Sequence, residues 1–469
     1  MAGGKCGAGE NCARGLKDGA AGGWHLNSIL DNSGDDAVTT VERFLVKNFG
    51  CRASQADGAA IEAGLAAKGL ASTAEVQDAD LVVLNTCTVT ATADDEVRQV
   101  VRRIHREKPG ARILITGCYA QRAPEELAAL EGVSLVVGNS HKTRIPEFVT
   151  AAEYHGQVEI GDIFAQTDFL SAPVEDAAGD RTRPNLKIQD GCNNRCSFCI
   201  IPYVRGRSRS AGPESVVEQV RALATKYREV VLSGINLGRW GRDFGGRMRL
   251  ADLVRRLLEE TPIERLRLSS VEPMDFSDDL LELMANSPRI ARHVHAPLQS
   301  GSDTVLRRMH RKYRPRHYAD RILKARALMP ECAVGADVMT GFPGETDDEF
   351  AQSCAFIESL PFTYLHVFTY SERPGTPAAE STAQVAAAVR KQRTHALRDL
   401  AARKNLEFRR TMVGKTISVV TLDKGGSLSD NYLKVALARP RAANRIEEIR
   451  IGGLTKDGVC EFGSLPVLQ

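Results

Sequence analysis

The chain has 469 residues, of which 43% are hydrophobic and 26% charged, and its formal net charge is +3. This composition excludes a polycation and is typical of soluble globular proteins. The length exceeds one ordinary hydrophobic core, so about two to four domains are expected. No apolar run approaches the roughly 20 residues that span a bilayer, and we expect a cytoplasmic protein with no membrane attachment.

Residues 1–40 are rich in Gly, Ala and Asp. They lack the apolar core of a secretory signal, so they are predicted to be a disordered leader or the product of a mis-assigned start. Eleven cysteines in a chain without an export signal favour metal ligation or redox use in a reducing compartment over a disulfide framework.

Residues 41–150 alternate short apolar strands with helices, a pattern typical of a parallel α/β sheet. Three predicted strands each run to a cysteine: residues 44–46 to Cys51, 81–84 to Cys87, and 113–115 to Cys118. Val97, Val101 and Ile104 have helical spacing and predict a crossover helix that returns the chain. Since the carboxyl ends of parallel strands meet at one edge, the three thiols are predicted to converge on a metal cluster.

Residues 151–184 show no sustained periodicity and are predicted to be a linker with at most one strand. Three cysteines then lie within eight residues, at Cys192, Cys196 and Cys199. Because iron–sulfur clusters are normally held by four cysteines, three thiolates leave one metal position open, as in catalytic metal sites. A zinc knuckle or a set of reduced structural thiols is the alternative, although zinc sites favour paired CxxC ligands.

Residues 185–411 are predicted to form a partial (βα)6 barrel that ends in a basic helix. The six predicted strands are residues 186–188, 230–232, 266–268, 293–295, 334–338 and 364–368. The second cysteine motif follows the first of these strands. It is therefore expected at the carboxyl-end mouth of the barrel, where barrel chemistry takes place.

Polar residues at the ends of later strands face the same predicted mouth. They are Ser233, Gly234 and Asn236 after the second strand, Ser270 and Glu272 after the third, and Gln299 after the fourth. Glycine lets the backbone approach a ligand, and the polar side chains can satisfy a bound nucleoside. Ordinary loop and helix-cap chemistry is the alternative for each of them.

Basic residues are concentrated in two stretches. Residues 390–415 contain nine, against Asp399 and Glu407, and a second group comprises Arg307, Arg308, Arg311, Lys312, Arg314 and Arg316. Charge of this density is typical either of a solvated helix face or of a surface that binds nucleic-acid phosphates.

Residues 412–469 are predicted to form a small antiparallel barrel of the OB-like type, a common platform for single-stranded nucleic acid. Its predicted strands, 417–420, 432–435 and 447–451, are separated by Gly425-Gly426, Gly452-Gly453 and Gly458. Cys460 is expected in its core rather than at a metal.

These motifs, in this order, resemble the radical S-adenosylmethionine (SAM) methylthiotransferases, which have an N-terminal cluster domain, a radical SAM barrel and a C-terminal TRAM domain. The resemblance covers residues 41–469 and is carried by Asn85-Thr86-Cys87-Thr88-Val89-Thr90, Gln189-Asp190-Gly191-Cys192, Cys199-Ile200-Ile201-Pro202-Tyr203, Ser269-Ser270-Val271-Glu272-Pro273 and Arg373-Pro374-Gly375-Thr376-Pro377. They are most similar to the MtaB-like branch, which methylthiolates N6-threonylcarbamoyladenosine at position 37 of tRNA. The isopentenyladenosine branch usually has Ser-Ile-Arg where this chain has Thr88-Val89-Thr90.

The resemblance implies two [4Fe-4S] clusters and SAM as cofactors. It assigns Cys192, Cys196 and Cys199 to the cluster that cleaves SAM to a 5′-deoxyadenosyl radical, and Cys51, Cys87 and Cys118 to the cluster that holds the transferred sulfur. It also places Phe198 at the aromatic position whose backbone faces the adenine of SAM.

The expected partner is the anticodon arm of a tRNA, bound by the TRAM domain and the basic helix. Two enzymatic alternatives are methylthiolation of another tRNA adenosine and of a ribosomal protein aspartate. A third alternative, from another class, is an RNA-binding protein with non-catalytic clusters.

Overall fold

The computed structural model describes residues 41–151, 158–167, 169, 182–423 and 425–463. The predicted leader, residues 152–157, 168 and 170–181 of the predicted linker, and residues 424 and 464–469 of the predicted C-terminal barrel lie outside the described residues. Among the described helices, none is both long enough and apolar enough to span a bilayer.

The N-terminal part is a six-stranded parallel sheet of order β2-β1-β3-β4-β5-β6. Its strands are β1 (Arg43–Asn48), β2 (Ala71–Ser72), β3 (Leu81–Thr86), β4 (Arg112–Gly117), β5 (Val133–Gly138) and β6 (Val158–Glu159). Its helices are α1 (Arg52–Ala66), α2 (Ala91–Glu107), α3 (Cys118–Arg122), α4 (Pro124–Ala128) and α5 (Ile145–Thr150). The three predicted strands and the crossover helix, α2, are confirmed.

The side chains of β3 and β4 alternate between two apolar cores. Val82, Leu84 and Ile113 pack with α2, whereas Val83 and Leu114 pack with α1 and α5 on the other face. Successive strand residues point to opposite faces, and helices cover both, so these strands are apolar throughout. Only the strand ends are left for polar and metal-binding groups.

The middle part is a partial barrel of six parallel strands with helices outside it. The strands are β7 (Asn185–Asp190), the short antiparallel β8 (Arg209–Ser210), β9 (Glu229–Gly234), β10 (Arg265–Leu268), β11 (His293–His295), β12 (Ala333–Thr340) and β13 (Tyr364–Thr369). The helices are α6 (Ile201–Arg205), α7 (Pro213–Ala224), α8 (Leu250–Glu260), α9 (Asp278–Asn286), α10 (Asp303–Arg308), α11 (Pro315–Leu328), α12 (Asp347–Ser359) and α13 (Ala387–Met412). All six predicted strands are confirmed, and a bridge between Leu266 and Ile290 links the β7-β9-β10 and β11-β12-β13 sheets.

The C-terminal part is a closed barrel of order β14-β15-β16-β18-β17, which confirms the predicted small barrel. Its strands are β14 (Thr416–Thr421), β15 (Gly426–Ser429), β16 (Lys434–Ala436), β17 (Ile446–Leu454) and β18 (Val459–Glu461). The short strands β15 and β18 were not predicted. Cys460 is buried in β18, as expected.

Three details of the predicted barrel are wrong. It is not antiparallel throughout, because β16 and β18 pair in parallel. Gly452-Gly453 does not end a strand: β17 continues through both, with a register shift against β18. A Cβ on Gly452 would lie 2.6 Å from the Cα of Phe462, so this glycine marks a close approach of two strands. Tyr432 has a left-handed φ of 66°, which delays the start of β16 to Lys434.

A buried carboxylate is shared by three arginines at the edge of the middle barrel. Glu229 of β9 is fully buried and lies 2.8 Å from the Nε of Arg267, 3.4 Å from Arg183 and 3.6 Å from Arg265. Burial alone would raise the pKa of Glu229, but Arg267, Arg183 and Arg265 hold it below its usual value.

The same arginines reach the C-terminal barrel. Arg267 donates to the carbonyl oxygens of Ser429 and Asp430 at 2.9 and 3.1 Å, and Arg265 donates to the hydroxyl of Ser418 at 2.6 Å. The charge group therefore joins the two barrels.

We expect Glu229→Ala to lower the free energy of unfolding by about 3–5 kcal/mol, because it leaves buried arginines without a counter-charge. Urea denaturation measures the change. The control is Glu264→Ala, whose exposed pair with Arg228 should contribute at most about 1 kcal/mol. Equal losses in the two variants would contradict the argument.

Candidate active site between two cysteine triads

The first cysteine triad lies at the carboxyl edge of the N-terminal sheet. Cys51 precedes α1, Cys87 follows β3, and Cys118 opens α3 directly after β4. Burial, and next the neighbouring Cys118, raise the pKa of Cys87 to about 12. Gly50 has a φ of 93°, and a Cβ there would lie 2.8 Å from the Sγ of Cys87. Glycine is therefore needed for β1 to turn beside the triad, and the predicted convergence is present.

Two side chains donate to the Sγ of Cys118. The Nε of Arg205 lies 3.3 Å away, and the Nδ2 of Asn139 lies 3.6 Å away. Arg205 belongs to α6 of the middle barrel, so a residue of one part of the fold contacts a candidate metal ligand of another.

Arg205 is also the centre of a buried group of charges. The members are Asp57, Lys142, Lys187, Asp190 and Arg205, all nearly inaccessible to solvent. The guanidinium donates to Asp57 and to Asp190 at 2.8 Å each. Burial alone would raise the pKa of Asp57, but Lys142, Lys187 and Arg205 hold it well below its usual value. Three cations thus face two carboxylates, and the excess positive charge lies beside Cys118.

The second triad occupies the loop after β7. The Nη1 of Arg311 lies 3.2 Å from the Sγ of Cys196, and the Nδ2 of Asn236 lies 3.6 Å from that of Cys192. Burial, and next Cys196, raise the pKa of Cys199 to about 12. Thiols of this kind bind metal as thiolates and release protons when they do so.

A cavity of about 190 Å³ lies between Cys199 of the second triad and the loop that follows Cys87 of the first. Phe198 and Cys199 line one wall, and Val89 and Thr90, from the loop after Cys87, line another. The remaining lining residues are Ile200, Ile201, Gln299, Met339, Phe368, Thr369, Ser371 and Arg373.

Gln299 fits a ligand in this cavity. It is buried, has a left-handed φ of 64°, and its Oε1 has no hydrogen-bond partner among the described residues. Backbone strain of this kind gathers at ligand sites, and a buried acceptor without a donor is costly. The Oδ1 of Asn236 is likewise buried without a partner among those residues. Both amides suit a ligand rich in hydrogen-bond donors.

Comparison with known proteins agrees with this geometry. Residues 186–357 match the radical SAM superfamily, and residues 43–138 match "Uncharacterized protein family UPF0004". The threonylcarbamoyladenosine tRNA methylthiotransferase MtaB of Bacillus subtilis (strain 168) is 39% identical over 76% of this chain and 82% of its own length. The protein of the same name from Aquifex aeolicus (strain VF5) is 35% identical over 83% and 95%. The chain belongs to the radical SAM methylthiotransferase family.

Other relatives in this family carry another name. The tRNA-2-methylthio-N(6)-dimethylallyladenosine synthase of Acetivibrio thermocellus is 32% identical over 80% of this chain and 80% of its own length. A solved structure, the radical SAM methyltransferase TsrM from Kitasatospora setae with cobalamin and a [4Fe-4S] cluster bound, shares the fold with a TM-score of 0.54 at 16% identity, over 72% of this chain and 77% of that one.

Family membership confirms two predictions. This methylthiotransferase is an enzyme whose cofactors are SAM and two [4Fe-4S] clusters. Single-zinc knuckles and non-catalytic clusters are not in keeping with the family. Which residues hold each cofactor stays a prediction.

The predicted SAM contacts of this methylthiotransferase lie in several places. Phe198 and Gln299 line the large cavity, and Phe198 packs edge-on against Phe342 at 6.3 Å. Asn236 and Glu272 line smaller polar hollows on the side of Cys192 and Cys196, where Glu272 is paired with Arg311.

The other three predicted SAM contacts lie at the strand ends themselves. Ser233 is buried with its hydroxyl 3.5 Å from the carbonyl of Leu186. Gly234 packs on Gln189, and Ser270 is exposed.

Most residues of the basic stretches have partners within the chain. Seven of the nine in residues 390–415 bond to protein groups: Arg390, Arg393, Arg398, Arg403, Lys404, Arg409 and Lys415. Arg311 of the second stretch lies at Cys196. The number of clustered Lys and Arg residues therefore overestimates the basic surface that could bind phosphates. The sequence does not show which of these side chains are already paired within the protein.

Sequence reasoning missed the contacts of Arg205 and Arg311 with the cysteines. Arg205 lies two residues after the Cys199–Tyr203 motif that carried the family resemblance, and that was its only signal. The acids that hold both arginines are distant in sequence, so no local pattern could reveal the pairings.

We expect Arg205→Met to cost about 3–5 kcal/mol of stability, since Asp57 and Asp190 lose their shared cation. It should also lower the reduction potential of the cluster at Cys118, because hydrogen bonds to cluster sulfurs tune this potential. Potentiometric EPR in a Cys196→Ala background isolates that cluster. Arg205→Lys should lie between wild type and Arg205→Met.

The matched control is Arg207→Met, which removes an exposed arginine two residues away. Its potential and stability should equal those of the parent. A potential unchanged in Arg205→Met would exclude a role for this guanidinium at the cluster.

Proposed function

We propose that this enzyme converts N6-threonylcarbamoyladenosine at position 37 of a tRNA to its 2-methylthio derivative. The observation that carries the proposal is one cavity that has Cys199 on one wall and the loop after Cys87 on another. Such an arrangement lets a base in the cavity meet chemistry from both triads.

The reaction requires this proximity. The target C–H bond of an adenine ring is not open to acid–base removal near neutral pH, and SAM bound at a cluster supplies the carbon radical that activates it. The residues of the chain hold the reactants within reach of each other, which lowers the entropic part of the barrier. Met339 and Phe368 supply an apolar wall that limits water.

Hydrogen bonds fix the wall formed by the loop after Cys87. Arg373 donates to the carbonyl of Thr88 at 3.3 Å and to Asp94 at 2.7 Å, and the backbone N–H of Ala91 donates to the hydroxyl of Ser371 at 3.1 Å. The two sides of the cavity are therefore tied to each other at its rim.

We assign Cys192, Cys196 and Cys199 to the cluster that generates the radical. Cys51, Cys87 and Cys118 hold the cluster that carries the sulfur to be methylated and transferred. Each triad leaves one iron for an exchangeable ligand. When bound there, SAM would supply both the methyl group for that sulfur and the radical that activates the base.

Two observations support the threonylcarbamoyl substrate over the isopentenyl one. The relatives named for threonylcarbamoyladenosine include those with 39% and 35% identity. The tripeptide that separates the two branches, Thr88-Val89-Thr90, contributes Val89 and Thr90 to the cavity wall. The position at which the branches differ therefore lies where the base modification would be read.

The tRNA is bound through its anticodon arm, and the target base must leave its stack to enter the cavity. The closed C-terminal barrel is of a type that binds single-stranded nucleic acid. Because much of the basic charge of α13 is used within the chain, we assign more of this binding to the barrel than to the helix.

We expect Cys196→Ala to abolish reductive cleavage of SAM, whereas Cys87→Ala should retain cleavage and lose the methylthio product. Each variant should fall from about eight irons per chain to about four, since one four-iron cluster is lost. Anaerobic reconstitution, iron analysis and chromatography of 5′-deoxyadenosine measure these outcomes.

Cys354→Ala is the control, because this half-buried cysteine lies on α12 outside both triads. It should keep all irons and full activity. Product formation by both triad variants would refute the two-cluster assignment.

We expect tRNA from cells without this gene to lack 2-methylthio-N6-threonylcarbamoyladenosine and to accumulate its unthiolated precursor. Nucleoside mass spectrometry measures both. In vitro, tRNA bearing threonylcarbamoyladenosine should be modified at least about 100-fold faster than tRNA bearing the isopentenyl base. This ratio corresponds to a difference in activation free energy of about 2.7 kcal/mol. Preference for the isopentenyl base, or for ribosomal subunits, would overturn the assignment.

A further inference from the structure

Two histidines and an aspartate form a polar layer inside the middle barrel, below the cavity. Met339 of β12 and Phe368 of β13 are register partners and line the cavity. Two residues earlier on the same strands, Asp337 and His366 are also register partners, and His295 extends from β11. Since alternate strand residues share a face, this layer lies directly under the cavity wall.

The three side chains converge on one point. The Oδ1 of Asp337 lies 3.2 Å from the Nε2 of His295 and 3.1 Å from the Nδ1 of His366. The three ligand atoms lie within 4.8 Å of one another. Around a tetrahedral metal with bonds of 2.0–2.1 Å, neighbouring ligand atoms are about 3.4 Å apart. The observed spacing requires little adjustment to hold one ion.

The charge and exposure of the group suit a cation. The carboxylate of Asp337 lies between the two imidazoles and brings a negative charge to the group. The side chain of His295 is 6% exposed, that of Asp337 26% and that of His366 58%. His295 therefore anchors the group in the barrel, and His366 provides a path for an ion to enter.

A second set of contacts orients His295. The hydroxyl of Tyr364 lies 2.8 Å from the Nδ1 of His295 and 2.6 Å from the Nε2 of His293. The phenol can donate to one of these imidazoles and accept from the other.

This hydrogen-bond chain is compatible with a metal-binding tautomer of His295. When Tyr364 donates to His293, its oxygen accepts the Nδ1–H of His295, and the Nε2 of His295 presents a lone pair to Asp337. Histidines that bind metals are held in this way by their second nitrogen. The 3.2 Å between this nitrogen and Asp337 is a hydrogen-bond distance, so a bound metal ion would take the place of a shared proton there.

We propose that His295, Asp337 and His366 bind one divalent transition-metal ion of the zinc class inside the barrel, separately from both cysteine triads. Two imidazoles and one carboxylate are a ligand set that zinc and ferrous ions accept, and three protein ligands leave a further position open. That open position lies one layer below the cavity that receives the base.

The test uses the anaerobic holoenzyme with both clusters in place, titrated with Zn²⁺ against a competing chelator. Inductively coupled plasma mass spectrometry counts zinc and iron in the same sample. We expect one zinc per chain with iron unchanged. Asp337→Asn and His366→Ala should each weaken zinc binding by at least about 100-fold, because each removes a direct ligand and loss of a supporting group alone costs up to that much.

The matched control is His395→Ala, since His395 forms an exposed pair with Asp399 on α13. It should bind zinc as the wild type does. His366 is the most exposed of the three ligands, so His366→Ala should leave the fold intact and isolate the loss of a metal ligand. Zinc should raise the melting temperature of the wild type but not that of this variant.

Three outcomes would overturn the proposal. They are no zinc in the wild-type holoenzyme, equal zinc in Asp337→Asn, and zinc uptake that only accompanies loss of iron, which would indicate capture by the cysteines. The readout is metal content, so the result does not depend on which base the enzyme modifies.

Discussion

One guanidinium connects the two cysteine triads. Arg205 donates to the Sγ of Cys118, to Asp57 on the helix that begins after Cys51, and to Asp190, two residues before Cys192. Removing a charged group from water costs several kcal/mol, which only good geometry and full hydrogen bonding offset. The chain places five charged groups under these conditions where its two α/β parts meet. The free-energy cost of burying these charges is offset only when both parts are correctly positioned and the ion pairs form. The charges therefore help to fix the relative position of the triads.

The cavity depends on this register because each part of the fold supplies only some of its walls. Val89 and Thr90 come from the N-terminal sheet, whereas Phe198, Gln299 and Phe368 come from the barrel. Arg373, which lines the cavity, also bonds across the boundary between the two parts, to Asp94 and to the carbonyl of Thr88. Enzymes need their reacting groups placed to a fraction of an ångström, and two buried arginines at one boundary provide that constraint.

Much of the fold could be predicted from the sequence because its signals are local. Runs such as Leu81–Leu84 are apolar on both faces, and that pattern is typical of a parallel strand covered by helices. The cysteine positions followed from the strand ends. What could not be predicted depends on distant partners: Arg311 belonged to a basic stretch, yet its acid, Glu272, is 39 residues away. Gly452-Gly453 has the composition of a turn, but it marks the contact of a strand with Phe462.

The polar layer of the barrel shows the same limit. His293 and His295 alternate as in any strand, and nothing near them in sequence indicates Asp337 or Tyr364. The register of three strands creates the group: His295 pairs with Gly335, and Gly335 pairs with Tyr364. A Cβ on Gly335 would lie 2.0 Å from the Tyr364 ring, so the glycine makes the space in which the phenol reaches both imidazoles. A side chain at that position would displace Tyr364, and with it the hydrogen bond that orients His295.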